Sequence, residues 1–385
     1  MELITIIFCL IVIDYVIFIS LLIYGFAKVK SFEKIGLQPK TTFSIIVPFR
    51  NEEKNFRTLL DSISQLNYPV DLFEIIVIDD FSSDNSEKIF NKWRMENGLI
   101  QTTLLENLRL SNSPKKDAIS RAVPVVKNEW IITTDADCEV PKNWLLAFDN
   151  YIQSHEVEML VGAVNVKAKW NPFHYFQQMD LMSLQGTTIG SFGLKEAFMC
   201  NGANFAYTKN LFNSLGGFNG NAKIASGDDV FLLQKAVKHN AEIVHYLKNT
   251  ESIVLTKPEN NIVKLFMQRV RWASKTGSYD SDFAKGLAVV VLLMNASLVL
   301  GVGCLLMHFD CAQCDNSRNW LLLTIAFSLK LVVDYILLLK TNSFLRKGRF
   351  LFPIISSFIY PFFSSFVGLY SLVGTFTWKD RSFKK

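Results

Sequence analysis

Hydrophobic residues are concentrated at the two ends of the chain, and the region between them has a globular composition. The run Leu3–Phe26 carries one charged residue, Asp14, and is long enough to cross a hydrocarbon core of about 30 Å. Lys28 and Lys30 follow it directly, so the positive-inside rule predicts that the chain enters the cytoplasm at this point. We therefore expect an N-terminal membrane anchor over residues 1–27.

The other end contains further apolar runs. Gly286–Met307 and Trp320–Leu339 are each long enough to span a membrane. A third run, Phe350–Phe376, has basic residues on both sides, which a single crossing cannot place on one side. Either the charge rule fails for the tail, or this run forms a re-entrant or interfacial hairpin. We favour a single crossing, because about 27 residues is short for two passes. Residues 281–385 would then form a C-terminal region of two to three transmembrane helices.

The central region alternates between two hydrophobic patterns. Continuous apolar stretches at Phe43–Phe49 and Phe73–Ile78 are typical of strands buried on both faces. Between them, apolar residues recur at helical spacing within Glu52–Leu66. The alternation continues with a strand, a helix and a strand at Thr102–Leu105, Lys115–Val126 and Trp130–Thr134. It predicts an α/β fold, with a Rossmann-like, mostly parallel sheet covered by helices, over residues 28–280.

Acidic residues directly follow two of these strands. Asp79-Asp80 ends one strand, and Asp135-Ala136-Asp137 ends another. Ligands of open parallel sheets bind outside the carboxyl ends of the strands, so we expect these carboxylates to share one crevice. Asp135 and Asp137 are two apart in an extended segment and point the same way, so they can hold a hard divalent cation that binds a diphosphate. An acidic turn after a strand is also often only a solvated loop.

Two polar segments lie at predicted helix starts. Ser226-Gly227-Asp228-Asp229 precedes the helical run Val230–Val237, and its two carboxylates can simply be helix caps. If the carboxylates are buried together, each raises the pKa of the other, which suits a general base working near neutral pH. Lys115-Lys116 opens another helix, where these lysines are either solvated or reach a phosphate.

Charged residues also occur beside or within the C-terminal apolar runs. The stretch Gln268–Trp272 lies on an amphipathic helix before these runs, where a basic aromatic helix can serve only as an interfacial anchor. Lys330 precedes Asp334 by one helical turn, so the two can pair within the membrane. Asp14 is expected to contact a lipid head group or another helix.

Composition limits the class of protein and its partners. Hydrophobic residues make up 50% of the chain, which is too apolar for a purely soluble protein. Lysines and arginines beside the apolar runs explain the net charge of +5, and no basic stripe with interleaved aromatics indicates nucleic acid. Cys138 and Cys200 are expected to be reduced thiols. Cys311 and Cys314 lie in a loop expected to face outwards, where a disulfide can form; zinc is less favoured because further ligands at suitable spacing are absent.

Taken in order, the central segments resemble family 2 of the inverting glycosyltransferases, in its membrane-attached branch of cellulose-synthase-like and lipid-glycosylating enzymes. The resemblance runs from about Ser44 to Trp272, with a similar ending at Trp378-Lys379-Asp380-Arg381. Each motif is weakly specific alone, but their order and spacing together are specific. They are Ile46-Val47-Pro48-Phe49-Arg50-Asn51-Glu52, Asp79-Asp80, Asp135-Ala136-Asp137, Gly227-Asp228-Asp229 and Gln268-Arg269-Val270-Arg271-Trp272. The family more often has Glu or Thr-Glu before the last Asp of the fourth motif, although Gly-Asp-Asp also occurs.

The resemblance implies a GT-A type fold and a binding site for a nucleotide-sugar, expected to be a UDP-sugar. Asp135 and Asp137 match the pair that presents Mn²⁺ or Mg²⁺ to the diphosphate. Asp80 matches the residue that contacts the uracil or ribose. With Lys116 as the residue that reaches a phosphate, the expected nucleotide-sugar contacts are Pro48, Glu52, Asp80, Lys116, Asp135, Gln268, Arg271 and Trp272.

The same resemblance implies the chemistry and the acceptor site. Asp229 matches the base that deprotonates an acceptor hydroxyl, and Asp228 matches its partner. Asn201, Asn204 and Trp272 are expected to contact the acceptor. The Phe-, Met- and Gln-rich segment Trp170–Phe192 either adds acceptor contacts or is ordinary core.

The membrane runs favour an acceptor in the inner leaflet, a membrane lipid or a lipid-linked glycan. We therefore expect an integral protein of the cytoplasmic membrane whose catalytic domain faces the cytoplasm. A processive polysaccharide synthase is the alternative, although three or four spans are few for a translocation channel. A non-catalytic sugar-nucleotide-binding regulator is a third hypothesis, which the intact acidic and basic motifs oppose.

Overall fold

The structure is a computed structural model that describes residues 2–33, 35–168, 171–221, 224–307, 317–345, 354–379 and 381–383. The helices are α1 Glu2–Lys28, α2 Phe56–Ser64, α3 Ser86–Glu96, α4 Pro114–Ala122, α5 Trp144–Ser154, α6 Pro172–Gly193, α7 Lys209–Ser214, α8 Asp228–Asn240, α9 Ile262–Ala273, α10 Asp282–Met307, α11 Ser317–Leu345 and α12 Ile354–Val373. The strands are β1 Phe43–Phe49, β2 Phe73–Asp79, β3 Gln101–Glu106, β4 Trp130–Thr133, β5 Met159–Gly162, β6 Val164–Val166, β7 Phe205–Thr208, β8 Val244–Leu247, β9 Val254–Thr256, β10 Phe376–Trp378 and β11 Arg381–Phe383.

The central sheet has the strand order β3-β2-β1-β4-β7-β5-β8. Strands β3, β2, β1 and β4 are parallel to one another, as are β5 and β8, whereas β7 runs antiparallel to its neighbours β4 and β5. This mostly parallel sheet with helices on both faces confirms the predicted α/β fold. The predicted strands agree with β1, β2, β3 and β4 to within one residue at either end.

Alternate residues of the buried strands face two separate hydrophobic cores, because successive side chains of a strand point to opposite faces. Ile45 and Val47 of β1 pack into the core beneath α2, α3 and α5. Ile46, between them in sequence, packs into the core formed with α4 and α8. Burial on both faces explains why this strand is a continuous apolar run rather than an alternating one.

Helix α2 begins later than the predicted helix Glu52–Leu66. The backbone carbonyl of Glu52 accepts hydrogen bonds from the amides of Asn55 and Phe56, both at 2.9 Å, so Glu52 forms a turn before the helix. This turn leaves the Glu52 side chain at the carboxyl end of β1, where it lines a cavity.

Helix α6 joins the sheet domain to the apolar helices through a close crossing with α1. A Cβ atom added to Gly193 would lie 1.8 Å from the carbonyl oxygen of Gly25, and one added to Gly190 would lie 2.5 Å from that of Leu22. Small residues at these positions therefore let the two backbones come into contact. The segment Trp170–Phe192, which was expected either to contact the acceptor or to be ordinary core, largely forms this connecting helix. Trp170 lies outside the described residues.

Four helices of the described chain are long and apolar enough to span a membrane: Leu3–Lys28, Asp282–Cys304, Asn319–Leu345 and Ile355–Val373. One is N-terminal and three are C-terminal. This agrees with the prediction of one N-terminal helix and two to three C-terminal helices. The fourth span lies within α12, which continues through Pro361 as one helix. The cysteine pair Cys311 and Cys314 lies outside the described residues.

The end of α11 and Lys379, which lie on either side of the third C-terminal run, both lie close to the sheet domain. The last turns of α11 pack against α6, where Thr341 lies beside Gly186. Beyond α12, Lys379 pairs with Glu52 at the end of β1, and this carboxylate belongs to the sheet domain. α12 is one continuous helix that is long enough to span a membrane, so a single crossing stays a prediction. Residues 346–353, which connect α11 to α12, lie outside the described chain.

Candidate active site

A cavity of about 1300 Å³ lies at the carboxyl ends of β1 and β4 and extends between the apolar helices α1, α10, α11 and α12. Most of the predicted site residues line it. These are Pro48, Glu52, Asp80, Asp135, Asp137, Asn201, Asp228, Asp229, Gln268, Arg271 and Trp272. Lys116 and Asn204 do not. The sheet edge thus brings together motifs that are far apart in sequence, as expected for an open parallel sheet.

Asp135 and Asp137 follow β4 and form the candidate metal site. One ligand atom from each, together with the Cys138 sulfur, lies within 4.8 Å of the others. Burial raises the pKa of Asp137 to about 7, and the negative charges of Asp135 and Glu52 add to the effect. Burial also raises the pKa of the Cys138 thiol, and a soft sulfur ligand suits Mn²⁺ or Mg²⁺ less well than the two carboxylates do. Two carboxylates whose oxygens lie this close together fit a hard divalent cation such as Mn²⁺ or Mg²⁺.

Asp228 and Asp229 begin α8 directly after Gly227, whose backbone has a left-handed φ of 85°. A side chain there is disfavoured by this φ, and a Cβ would lie 2.8 Å from the Phe231 ring. The Asp229 carboxylate accepts hydrogen bonds from the backbone amides of Gly202 and Val230, both at 2.8 Å. These bonds hold the carboxylate in one orientation beside the cavity.

The two carboxyl groups differ in their pKa. Burial and the neighbouring Asp229 raise the pKa of Asp228, as predicted for a buried pair, against the opposing charge of Lys115. Burial also opposes ionisation of Asp229, but Lys275, Lys115 and the two amides outweigh it, so the pKa of Asp229 is lowered. The expectation of a raised pKa is therefore wrong for Asp229. Its carboxylate is ionised at neutral pH and able to accept a proton.

Of the two adjacent lysines, Lys115 lines the cavity and Lys116, the expected phosphate contact, does not. Lys115 lines the cavity, and its ammonium group lies 2.6 Å from Asp135 and 3.5 Å from Asp228. Lys116 is buried, and its ammonium donates to the carbonyls of Asn221 at 2.7 Å and Ile224 at 3.1 Å. Lys116 therefore supports the loop before α8 and does not reach the cavity. Both lysines open the same helix, so the sequence carried no signal that distinguished them.

Residues from the chain's end pair with two predicted nucleotide contacts. Asp80 accepts from Asn107 at 2.8 Å, from Arg109 at 3.1 Å and from Arg381 at 2.5 Å. Lys379 pairs with Glu52 in the same way. The contacts of Lys379 and Arg381 join positions about 300 residues apart, and their residue types alone could not have predicted them.

The stretch Gln268–Trp272 lies on α9, and its polar side chains point to several partners. Gln268 donates to Glu259 at 2.9 Å, and Arg269 pairs with Asp180 of α6 at 2.5 Å. The Arg269 guanidinium also stacks on the Trp272 ring at 4.2 Å. Burial lowers the pKa of Arg271 against the charge of Asp135 and Asp228, but an arginine remains charged at neutral pH. Arg269 was not among the predicted site residues.

Asn201 and Asn204 differ although both were expected to contact an acceptor. Asn201 lines the cavity, where its side-chain oxygen accepts from the amide of Ala203 at 3.0 Å. Asn204 is fully buried, donates to the carbonyls of Ala163 and Ser252 and accepts from the Trp144 indole. Its side-chain amide is used by the core, so Asn204 is not available to an acceptor, and that prediction is corrected.

Comparison with known proteins agrees with the motifs. Residues 44–216 match the family described as glycosyl transferase family 2. A beta-monoglucosyldiacylglycerol synthase from Trichormus variabilis is 29% identical over 267 residues, which cover 66% of this chain and 53% of that protein. A poly(ribitol-phosphate) beta-N-acetylglucosaminyltransferase, TarS, from Staphylococcus aureus is 30% identical over 119 residues, covering 31% of this chain and 20% of that protein.

A solved structure with a similar fold is that of the mannosyltransferase PcManGT from Pyrobaculum calidifontis, in complex with GDP-Man and Mn²⁺. It has a TM-score of 0.55 at 17% identity, and the match covers 86% of this chain and 99% of that one. This likeness confirms the predicted GT-A type fold. The chain spans between about a fifth and about half of the length of the curated relatives described above.

Proposed function

We propose that this chain is a membrane-bound inverting glycosyltransferase, because residues 44–216 match the family described as glycosyl transferase family 2. It transfers a sugar from a nucleotide-sugar, a UDP-sugar in the first instance, to a hydroxyl group of a membrane lipid or lipid-linked glycan. Residues 28–280 form the catalytic domain on the cytoplasmic face of the membrane. Residues 1–27 and 281–385 attach it to the bilayer.

Asp229 is the proposed general base. Inversion requires one in-line attack by the acceptor oxygen, so a base must remove the hydroxyl proton on the acceptor side. The lowered pKa of Asp229 keeps its carboxylate ionised. Hydrogen bonds from the amides of Gly202 and Val230 hold that carboxylate in one orientation. Asp228, whose pKa is raised, lies beside it and near Lys115.

The donor is proposed to bind beside these residues, at the acidic turn that follows β4. Asp135 and Asp137 are the residues that would hold Mn²⁺ or Mg²⁺, which would neutralise charge on the leaving diphosphate. Lys115 and Arg271 add positive charge to the same region of the cavity. Pro48, Glu52 and Asp80 are proposed to contact the nucleotide, with Gln268 and Trp272 closing over the pyrophosphate and acceptor sugar.

One observation carries the choice of a membrane acceptor. The cavity that contains Asp137 and Asp229 is also lined by residues of the apolar helices, among them Ile19, Leu287 and Leu337. Pockets that hold one small ligand are usually about 300–1,000 Å³, so this larger space has room for a donor and for part of a lipid. The glucosyldiacylglycerol synthase among the relatives supports the same acceptor class.

The test is a transfer assay on membranes that contain the full chain, with Mn²⁺ or Mg²⁺ and a panel of labelled UDP- and GDP-sugars. We expect label in the lipid-extractable fraction, and we expect a chelator to abolish it. Asp229→Asn membranes are the matched control and should give no labelled lipid. Label in long insoluble polymer would instead support a processive synthase, and donor binding without Asp229-dependent transfer would support a regulator.

A further inference from the structure

A cluster of ionised and phenolic side chains lies beside Trp272, among α1, α6, α9, α11 and α12. Arg269 pairs with Asp180, and Lys330 pairs with Asp334, which also accepts a hydrogen bond from Tyr15 at 2.7 Å. Tyr360 lies between the two pairs, with the Lys330 ammonium 5.7 Å from its ring centroid and Asp180 within electrostatic reach. We call Tyr15, Asp180, Arg269, Lys330, Asp334 and Tyr360 the bundle cluster.

Four of the six members of the bundle cluster lie on mostly apolar helices, whereas Asp180 lies on α6 and Arg269 lies on α9. Tyr15 lies on α1, Lys330 and Asp334 lie on α11, and Tyr360 lies on α12, and each of these helices is a candidate membrane span. The Lys330 side chain is 4% exposed and the Asp180 side chain is 5% exposed. Ionised groups buried in such helices are costly, and apolar residues of similar volume often stabilise a fold equally well. A requirement for packing alone therefore does not explain them.

The cluster lies on the same cavity as the proposed chemistry. All six of its side chains line the cavity that also contains Asp229 and Arg271. Arg269 connects the two regions directly, because its guanidinium stacks on the Trp272 ring at 4.2 Å and pairs with Asp180. A polar group held by the cluster would therefore extend from the transfer site into the helix bundle.

The charges of the cluster select the chemistry of that polar group. It contains two cations and two anions, and each cation is already paired with its own anion. A phosphate placed there would meet Asp180 and Asp334 without a cation left to neutralise it, at a high desolvation cost. Hydroxyl groups, in contrast, can donate to the carboxylates and accept from the ammonium, guanidinium and phenol groups without adding charge.

We propose that the bundle cluster is the subsite for the head group of a neutral, hydroxyl-bearing lipid acceptor. The inference rests on the proposed function and narrows its acceptor class to lipids without a phosphate near the reacting hydroxyl. Such an acceptor is either a glycerol-headed lipid or a neutral glycolipid. Its hydroxyl groups would contact the cluster while its reacting hydroxyl reaches Asp229.

The test compares acceptors in detergent with the purified full chain and the UDP- and GDP-sugar panel. The acceptors are 1,2-diacylglycerol, monoglycosyl diacylglycerol, phosphatidylglycerol and polyprenyl phosphate. We expect the neutral lipids to have a kcat/KM at least about tenfold above that of the anionic lipids, the effect of one hydrogen bond to a charged group. The better neutral lipid identifies the head group. An anionic lipid that is as good or better would overturn the proposal.

A double variant separates binding from structural support. Lys330→Met combined with Asp334→Leu replaces the ion pair by apolar side chains, and it should raise the acceptor KM by about tenfold while leaving donor affinity unchanged. The matched control is Lys248→Met, which removes a buried lysine that does not line the cavity. The Lys248 ammonium donates to the backbone carbonyl of Val29 at 3.0 Å. Unchanged acceptor kinetics in the folded double variant would contradict the subsite. If that variant does not fold, Tyr360→Phe, which removes one hydroxyl, provides the same readout.

The outcomes distinguish this inference from the proposed function. Asp229-dependent transfer to an anionic lipid only would leave the proposed glycosyltransferase intact and overturn the neutral subsite. The absence of Asp229-dependent transfer to any of the lipids, with donor binding retained, would overturn both. Transfer to the neutral lipids that weakens in the double variant, but not in the Lys248→Met control, would support both.

Discussion

Lys115 and Lys116 are adjacent in the chain but lie in different surroundings. Replacing Lys115 by Met removes the cation beside Asp135 and Asp228, and we expect a loss of transfer of about a hundredfold, typical of one electrostatic contact in an active site. Replacing Lys116 by Met leaves the carbonyls of Asn221 and Ile224 without their donor and should cost about 2 kcal/mol of stability. Transfer rates and thermal unfolding of both variants are the measurements, and each variant is the control for the other. The opposite pattern would contradict the assignment of Lys115 to the cavity.

The raised pKa of Asp137 predicts that metal binding depends on pH. A carboxyl group whose pKa is about 7 is mostly protonated at pH 6 and mostly ionised at pH 8, and a metal binds the ionised form. Mn²⁺ should therefore bind about tenfold more tightly at pH 8 than at pH 6, since a proton competes at the lower pH. Calorimetric titration of the full chain at both pH values measures this ratio. In Asp137→Asn the ratio should fall towards one, and an equally steep dependence there would assign the proton to another group.

At the scale of single residues, the sequence predicted which residues belong to the site better than it predicted which side chains those residues contact. Asp135, Asp137 and Asp229 could be proposed because their motifs occur in the order and at about the spacing of family 2 glycosyltransferases, although each motif alone is weakly specific. Asn201 and Asn204 are three residues apart and of one type, and only the fold shows that Trp144, 60 residues away, uses the amide of Asn204. The opposite pKa shifts of Asp228 and Asp229 depend in the same way on Lys275 and Lys115, which come from other elements.

At the scale of elements, the crossing of α1 and α6 depends on glycine. Ala is the better helix former by about 1 kcal/mol, so propensity alone predicts that Gly193→Ala is stabilising. The added Cβ would lie 1.8 Å from the Gly25 carbonyl, and we expect the resulting overpacking, commonly about 1–3 kcal/mol, to exceed that gain. Thermal unfolding should show a lower Tm for Gly193→Ala. Gly303→Ala on α10, where no atom lies within 4 Å of the added Cβ, is the control and should be neutral or slightly stabilising.

The strands could be predicted because a strand that is buried on both faces appears in the sequence as a continuous apolar run. Helix starts were less accurate, since Glu52 belongs to a turn that its own backbone carbonyl closes and not to α2. The antiparallel strand β7 inside a mostly parallel sheet was not predicted at all. Its four residues, Phe205–Thr208, are too few to carry a periodic signal of their own.

At the scale of the whole molecule, the end of α11 and Lys379 both lie close to the sheet domain. Cysteines introduced at Lys340 and Lys379, in a background without other cysteines, should therefore react together with a membrane-impermeant reagent, or be protected together, in sealed vesicles. A cysteine at Leu3, at the opposite end of α1, should show the reverse accessibility. Opposite accessibility of positions 340 and 379 would support the single crossing that the length of the run favours. Equal accessibility would support the alternative that the basic residues on both flanks of the run indicate.

The central claim is that one cavity joins a nucleotide-sugar site to a lipid acceptor with Asp229 as the base. The most direct test is to measure donor affinity and lipid transfer on the same purified preparations of wild type and Asp229→Asn. We predict that the variant binds the donor within about threefold of wild type and loses transfer by about a thousandfold or more, as expected when a general base is removed. Transfer by Asp229→Asn at a rate near that of wild type would contradict the account.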